Sequence, residues 1–122
     1  MNAADHLGLY LEGWSKGDLE TILRAVSDDY TLDDPNAGTI SKEDLSDYLS
    51  GMKEAVKALR GDSLPEPFLE LSEVVTQENE GIVTAWGWWV LPGTEIKGSC
   101  LIKVDSEGVR SEILAYYTKL SG

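Results

Sequence analysis

The chain has one histidine, His6, and one cysteine, Cys100. A Ser-His-Asp or Cys-His relay would have to recruit His6, which lies near the N-terminus and reads as a solvated surface residue. No His/Cys grouping has zinc-site spacing, and Gly38-Thr39-Ile40 fits no phosphate-loop motif, so neither a metal nor an organic cofactor is expected. What remains is carboxylate and phenol chemistry. Asp33 and Asp34 stand directly before Pro35, in the turn-forming run Asp33-Asp34-Pro35-Asn36-Ala37-Gly38. An aspartate there is an ordinary turn residue, whereas one enclosed in an apolar pocket gains proton affinity by desolvation. The two alternate in direction, so Asp33 is expected to face solvent or cap the turn. Tyr10 places a phenol on an apolar helix face, where it serves either packing or hydrogen-bond donation. Cys100 reads as a small buried hydrophobe.

These groups must be positioned by helices first and strands later. Leu7, Tyr10, Leu11 and Trp14 recur at i, i+3, i+4 and i+7, which predicts a helix from about residue 5 to 16. Gly17 ends it, and Asp18 caps a second helix carrying Leu19, Ile22, Leu23 and Val26. Asp28 and Asp29 leave that helix, and Tyr30-Thr31-Leu32 forms a short strand. Ser41, with Asp44 three residues on, starts a third helix whose apolar face holds Leu45, Tyr48, Leu49, Met52, Val56 and Leu59. Gly61 and the run to Pro67 stop it.

The second half changes period. Segments 68–77, 82–91, 95–104 and 109–120 read as strands joined by hairpin connections at 78–81, 92–94 and 105–108. Gly98, Cys100, Ile102 and Val104 share one face with Ile96, opposite Lys97, Ser99, Leu101 and Lys103. In the last strand Val109, Ser111, Ile113, Ala115 and Tyr117 form one row. Strand 82–91 is apolar on both sides, with Trp86 and Trp88 facing one way and Trp89 the other. Helices are expected on one side of an antiparallel meander, and a second subunit on the side that still carries tryptophan, giving a homodimer through the sheet.

The 122 residues fit a single α+β domain, 1–122. Twenty-two acidic against ten basic side chains give a formal charge of -12, which argues against nucleic acid or anionic membrane as a partner. With one cysteine, no basic leader and no run of about 20 apolar residues, a cytoplasmic protein is expected.

The series Tyr10-Leu-Glu-Gly-Trp-Ser-Lys-Gly17-Asp18-Leu19, then Asp28-Asp29-Tyr30, then Asp33-Asp34-Pro35, resembles the NTF2-like superfamily, and within it the ketosteroid isomerase and SnoaL-like branch. The resemblance implies a cone in which three N-terminal helices pack on a curved antiparallel sheet around an apolar pocket. It implies catalytic roles for two residues: Tyr10, seven before the Gly-Asp turn, as the oxyanion donor, and Asp34, before the proline, as the general base. The family's second donor is a neutral aspartic acid on the penultimate strand, where Cys100 stands here. That departure leaves the oxyanion site half built, a loss typically on the order of 10²–10³ in rate. The pocket is expected to be lined by Trp14, Tyr48, Met52, Trp86, Trp88, Cys100, Ile102, Ile113 and Tyr117, with Tyr116 in the core or the pocket wall. A small apolar ligand with a carbonyl or enol follows, with isomerisation or cyclisation as the reaction. The alternative is a non-catalytic ligand-binding or dimerisation module on the same scaffold. Epoxide hydrolysis would need an arginine beside two pocket aspartates, and none of Arg24, Arg60 and Arg110 is obviously placed for it.

Overall fold

The computed structural model describes residues 1–61 and 67–117. Helix α1 spans Ala3–Lys16, α2 Leu19–Ala25 and α3 Leu45–Arg60; the strands are β1 Val26–Asp34, β2 Gly38–Ser41, β3 Glu70–Asn79, β4 Ile82–Val90, β5 Lys97–Asp105 and β6 Gly108–Tyr116. The amphipathic spacing of α1 buries Leu7, Tyr10 and Trp14 as expected, and Gly17 closes the helix in the left-handed conformation at φ 66°. The helix begins earlier than its apolar stripe, because Asn2 and Asp5 form a reciprocal capping box. His6, expected in solvent, is 9% exposed, and its Nε2 lies 3.1 Å from the Ser106 carbonyl.

Three boundaries move. Val26 opens β1 rather than ending α2, since its backbone is already extended (φ -97°, ψ 149°), the region a β-branched residue favours. Gly38–Ser41 is a strand, where a turn through Gly38 and a helix start at Ser41 were expected: Ile40 pairs with Leu32 and Thr39 with Asp33 across the Asp34-to-Gly38 turn. Ser41 consequently does not cap α3. Asp44 does so positionally, without a side-chain cap bond, while accepting the Ser41 hydroxyl at 3.1 Å. The expected extension of the last strand to Leu120 lies outside the described residues.

The six strands form one sheet in the order β2-β1-β6-β5-β4-β3. The meander from β3 to β6 is antiparallel as expected. The sheet as a whole is mixed, correcting the antiparallel expectation: β1 lies parallel to β6. Two strands separated by α3 and four other strands can pair in parallel because a long connection can return the chain in the same direction, which a hairpin cannot.

A second correction concerns faces. Lys103 pairs with Ser111, but Val104 pairs with Val109, so Arg110 is the extra residue of a β-bulge. Side-chain direction alternates at every residue, so one inserted residue reverses the rest of the row. Val109 points inward, and so do Glu112, Leu114 and Tyr116. Ile113 and Tyr117, read from simple alternation as Val109's companions, are turned outward and are 48% and 55% exposed. Arg110 is anchored where it leaves the ladder, donating to Asp105 and Asp29 at 2.8 Å each.

In β4 the inner row is Val83, Ala85, Gly87 and Trp89, and Trp86 and Trp88 face out. Gly98 of β5 has no room for a side chain: an added Cβ would stand 1.8 Å from the Ala115 carbonyl oxygen and 2.8 Å from the Trp89 ring. That missing atom lets Trp89 lie flat against the inner face.

Candidate functional site

Between α1, α3 and the inner sheet face lies a cavity of about 450 Å³, walled mostly by apolar side chains. Tyr10 and Trp14 enter from α1, Tyr48 and Met52 from α3, and Ile102 from β5, all five as expected from sequence. Asp34 enters from the last position of β1 and is 5% exposed. Tyr10 and Asp34, 24 positions apart in the chain, therefore open onto one common space. Asp33 points away into solvent and accepts the Thr39 hydroxyl at 2.7 Å.

Five expected wall residues do not line this cavity. Trp86 and Trp88 lie on the outer face of β4, and Ile113 and Tyr117 on the outer side of β6 beyond the bulge. Trp89 takes the place of the first two, and Tyr116 and Leu114 that of the second two. Cys100 is buried on the inner face but is not among the residues that form the cavity wall.

The cavity holds two polar centres. At the first, Asp34 accepts the Tyr48 phenol at 2.6 Å and the Tyr116 phenol at 2.8 Å on Oδ2, and the Asn36 backbone N–H at 2.8 Å on Oδ1. Burial, reinforced by the bond to Asp34, raises both phenols, Tyr116 to about 12 and Tyr48 well above its ordinary value. Both phenols thus stay protonated and donate. A carboxylate offers about four acceptor positions, so three are filled here and one on Oδ1 remains.

At the second centre, Tyr10 donates to Oε1 of Glu112, and the Tyr30 hydroxyl lies 2.6 Å from that of Tyr10. With Tyr10's single proton directed at Glu112, Tyr30 donates to Tyr10. Burial pushes Glu112 up to about 7, against smaller opposing effects of the bonds from Tyr10 and the Cys100 thiol. Burial also raises Tyr10 and Tyr30 well above the usual phenol range, and the neighbouring Glu112 adds to it. Cys100 is pushed up to about 12, first by burial and then by Glu112, so its thiol stays protonated and unreactive.

Glu112 was not legible as a site residue from alternation, because the bulge reverses its row. One sequence signal pointed to it: Arg110 and Glu112 are polar but Leu114 and Tyr116 in the same row are apolar, a change of phase within one strand. Among the described residues no His/Cys/Asp/Glu group is arranged to hold a metal ion, and no helix is long and apolar enough to cross a membrane.

No family model matches the sequence, and no curated protein matches it significantly. Solved structures do. An NTF2-like protein from Cytophaga hutchinsonii superposes with a TM-score of 0.65 at 15% identity, covering 93% of each chain. A ketosteroid isomerase-like protein from Erwinia carotovora atroseptica gives 0.63 at 15% identity, over 95% of this chain and 94% of the other. A candidate polyketide cyclase from Xanthomonas campestris gives 0.61 at 16% identity, over 91% and 87%. At such identities the likeness speaks for architecture: three helices and a six-stranded mixed sheet, together the NTF2-like fold.

Proposed function

We propose that this chain binds a small, flat, mostly apolar carbonyl compound and moves a proton on it, as an isomerase or cyclase. The observation that carries this reading is that Asp34 and Tyr10 face the same apolar cavity. Asp34 takes a proton from the carbon next to the carbonyl, on the acceptor position left on Oδ1, while Tyr48 and Tyr116 hold the carboxylate in place. Tyr10 serves the carbonyl oxygen as charge grows there.

Glu112 supplies the acid that Cys100 cannot. When Glu112 is neutral it can donate to Tyr10, and Tyr10 is then free to turn its own proton toward the ligand. The ionised form instead draws that proton to itself. The oxyanion end is thereby built from β6 and α1. Structural neighbours that include a ketosteroid isomerase-like protein and a candidate polyketide cyclase support the reading at the level of fold. The test is Asp34→Asn, which keeps the shape and removes the base. Turnover of a cognate substrate should fall at least a thousandfold with the circular dichroism spectrum unchanged; undiminished turnover would take Asp34 out of the mechanism.

A second reading draws on the same carboxylate. Three of its four acceptor positions are already filled, as in a structural clamp, and a clamp would make the cavity a binding site without chemistry. Neither Arg24 nor Arg110 lines the cavity, which disfavours epoxide hydrolysis.

The outer sheet face supports a homodimer. Val75, Trp86, Leu101 and Ile113 are register partners across β3, β4, β5 and β6 and form one apolar row there, with the Trp88 and Tyr117 rings beside it 5.0 Å apart and tilted by 40°. A second copy laid on that row would remove it from water.

A further inference from the structure

The described residues lining the cavity include three carboxyl side chains, Asp34, Asp47 and Glu112, and no lysine, arginine or histidine. Acidic side chains alone would say little, since surface carboxylates are common. The surroundings of Asp34 are less ordinary. It is buried, and its hydrogen bonds come from two phenols and a backbone N–H, all neutral donors. Buried charges are normally paired, and no side chain in this cavity supplies the opposite one.

Around that carboxylate the aromatic rings are arranged in two perpendicular pairs. Trp14 meets Tyr48 at 6.4 Å and 78°, and Trp89 meets Tyr116 at 5.2 Å and 90°. The two pairs converge on Asp34 through the Tyr48 and Tyr116 hydroxyls. Faces of tryptophan and tyrosine attract cations through their ring quadrupoles, most strongly where water is excluded. A carboxylate held by two phenols, each ring set edge-on against a cavity-lining tryptophan, and opening on an apolar cavity has the chemistry of an organic ammonium site. The chain's charge of -12 acts in the same sense, drawing cations toward the mouth and repelling anions.

We propose that the cavity selects its ligand by charge, taking a flat carbonyl compound that carries a protonated amine and rejecting the corresponding carboxylate. This rests on the reading of the cavity as a carbonyl-compound site and names its substrate class. The ammonium sits among the rings beside Asp34. An ammonium near the carbon that loses its proton withdraws electron density from that carbon and makes its proton easier to remove.

The test uses three β-tetralones that differ in one substituent, methyl, aminomethyl or carboxyl, with affinities and proton exchange measured on the intact chain at pH 6, where an alkylamine is protonated and a free carboxyl ionised. The aminomethyl compound should bind at least tenfold more tightly than the methyl compound, and the carboxyl compound at least tenfold more weakly. In Asp34→Asn, with folding checked by circular dichroism, the aminomethyl preference should shrink at least tenfold. Equal affinities across the series, or no binding by any member, would overturn charge selection, as would a preference undiminished in the variant. Tight aminomethyl binding with no proton exchange into the ligand's α-carbon would instead overturn the proton-transfer reading and leave the charge selection standing.

Discussion

Glu112 is the residue on which most depends. Its carboxyl is raised to about 7 by burial, against an unfolded value near 4.5. A carboxyl raised on folding binds more protons in the native state than in the unfolded state between those two values. Stability is therefore greatest below about pH 4.5 for this group and is lost as pH rises through about 7. Replacing it with glutamine removes the penalty. Urea midpoints of wild type and Glu112→Gln should coincide near pH 4.5, and by pH 8 the variant should be the more stable by on the order of 3 kcal/mol. The same titration governs the proposed reaction. With neutral Glu112 as the form that releases Tyr10 toward the ligand, kcat/KM should fall as pH rises through about 7, and this limb should vanish in Glu112→Gln. A pH limb that survives the substitution would assign it elsewhere.

At the scale of the element, one inserted residue decides which side chains meet the ligand. Tyr10, Trp14, Tyr48, Met52 and Ile102 could be placed from sequence because helices and straight strands keep their period, whereas Asp34, which beside a proline also reads as an ordinary turn residue, was placed by the family resemblance alone. Trp86, Trp88, Ile113 and Tyr117 were misplaced for two different reasons. Strand β4 is apolar on both sides, so its pattern alone cannot say which tryptophans face in. In β6 the Arg110 bulge breaks the period, and the ion pairs that stabilise it, to Asp29 and Asp105, include a partner 81 positions away. No local pattern records such a contact. The parallel pairing of β1 with β6 was hidden for a similar reason, since it depends on where α3 returns the chain. The close fit of Trp89 on Gly98 gives this scale its own prediction. Gly98→Ala sets a methyl against a backbone carbonyl that cannot step aside without breaking the β5–β6 ladder, so it should destabilise by at least about 3 kcal/mol, read as a lowered urea midpoint. A midpoint within 0.5 M of wild type would mean that the ladder yields more easily than the geometry implies.

For the whole molecule, the exposed row across β3 to β6 makes association the expected state. Sedimentation at micromolar concentration should give a species of twice 13.4 kDa, and Trp86→Asp should return it to a single chain without loss of secondary structure. A monomer at every concentration tested would require the row to have another occupant. The alternating face pattern of β5 made the sheet itself foreseeable, whereas the three-dimensional neighbours of its outer row came only from the pairing register.

The strand that joins the two parts of the sheet is the last of the described strands in chain order. β6 lies between β1, which precedes it by about 80 residues, and β5, so the helical half and the meander have no continuous ladder until β6 has left the ribosome. Until then β1 and β5 both present open edges, and the apolar faces of α1 and α3 have only part of the surface meant to cover them. A chain cut just before Gly108 would lose β6 alone among the described elements, yet it would leave β1 and β5 with open edges, α1 as the main bridge from the helical half to the meander, and a core that lacks one of its walls.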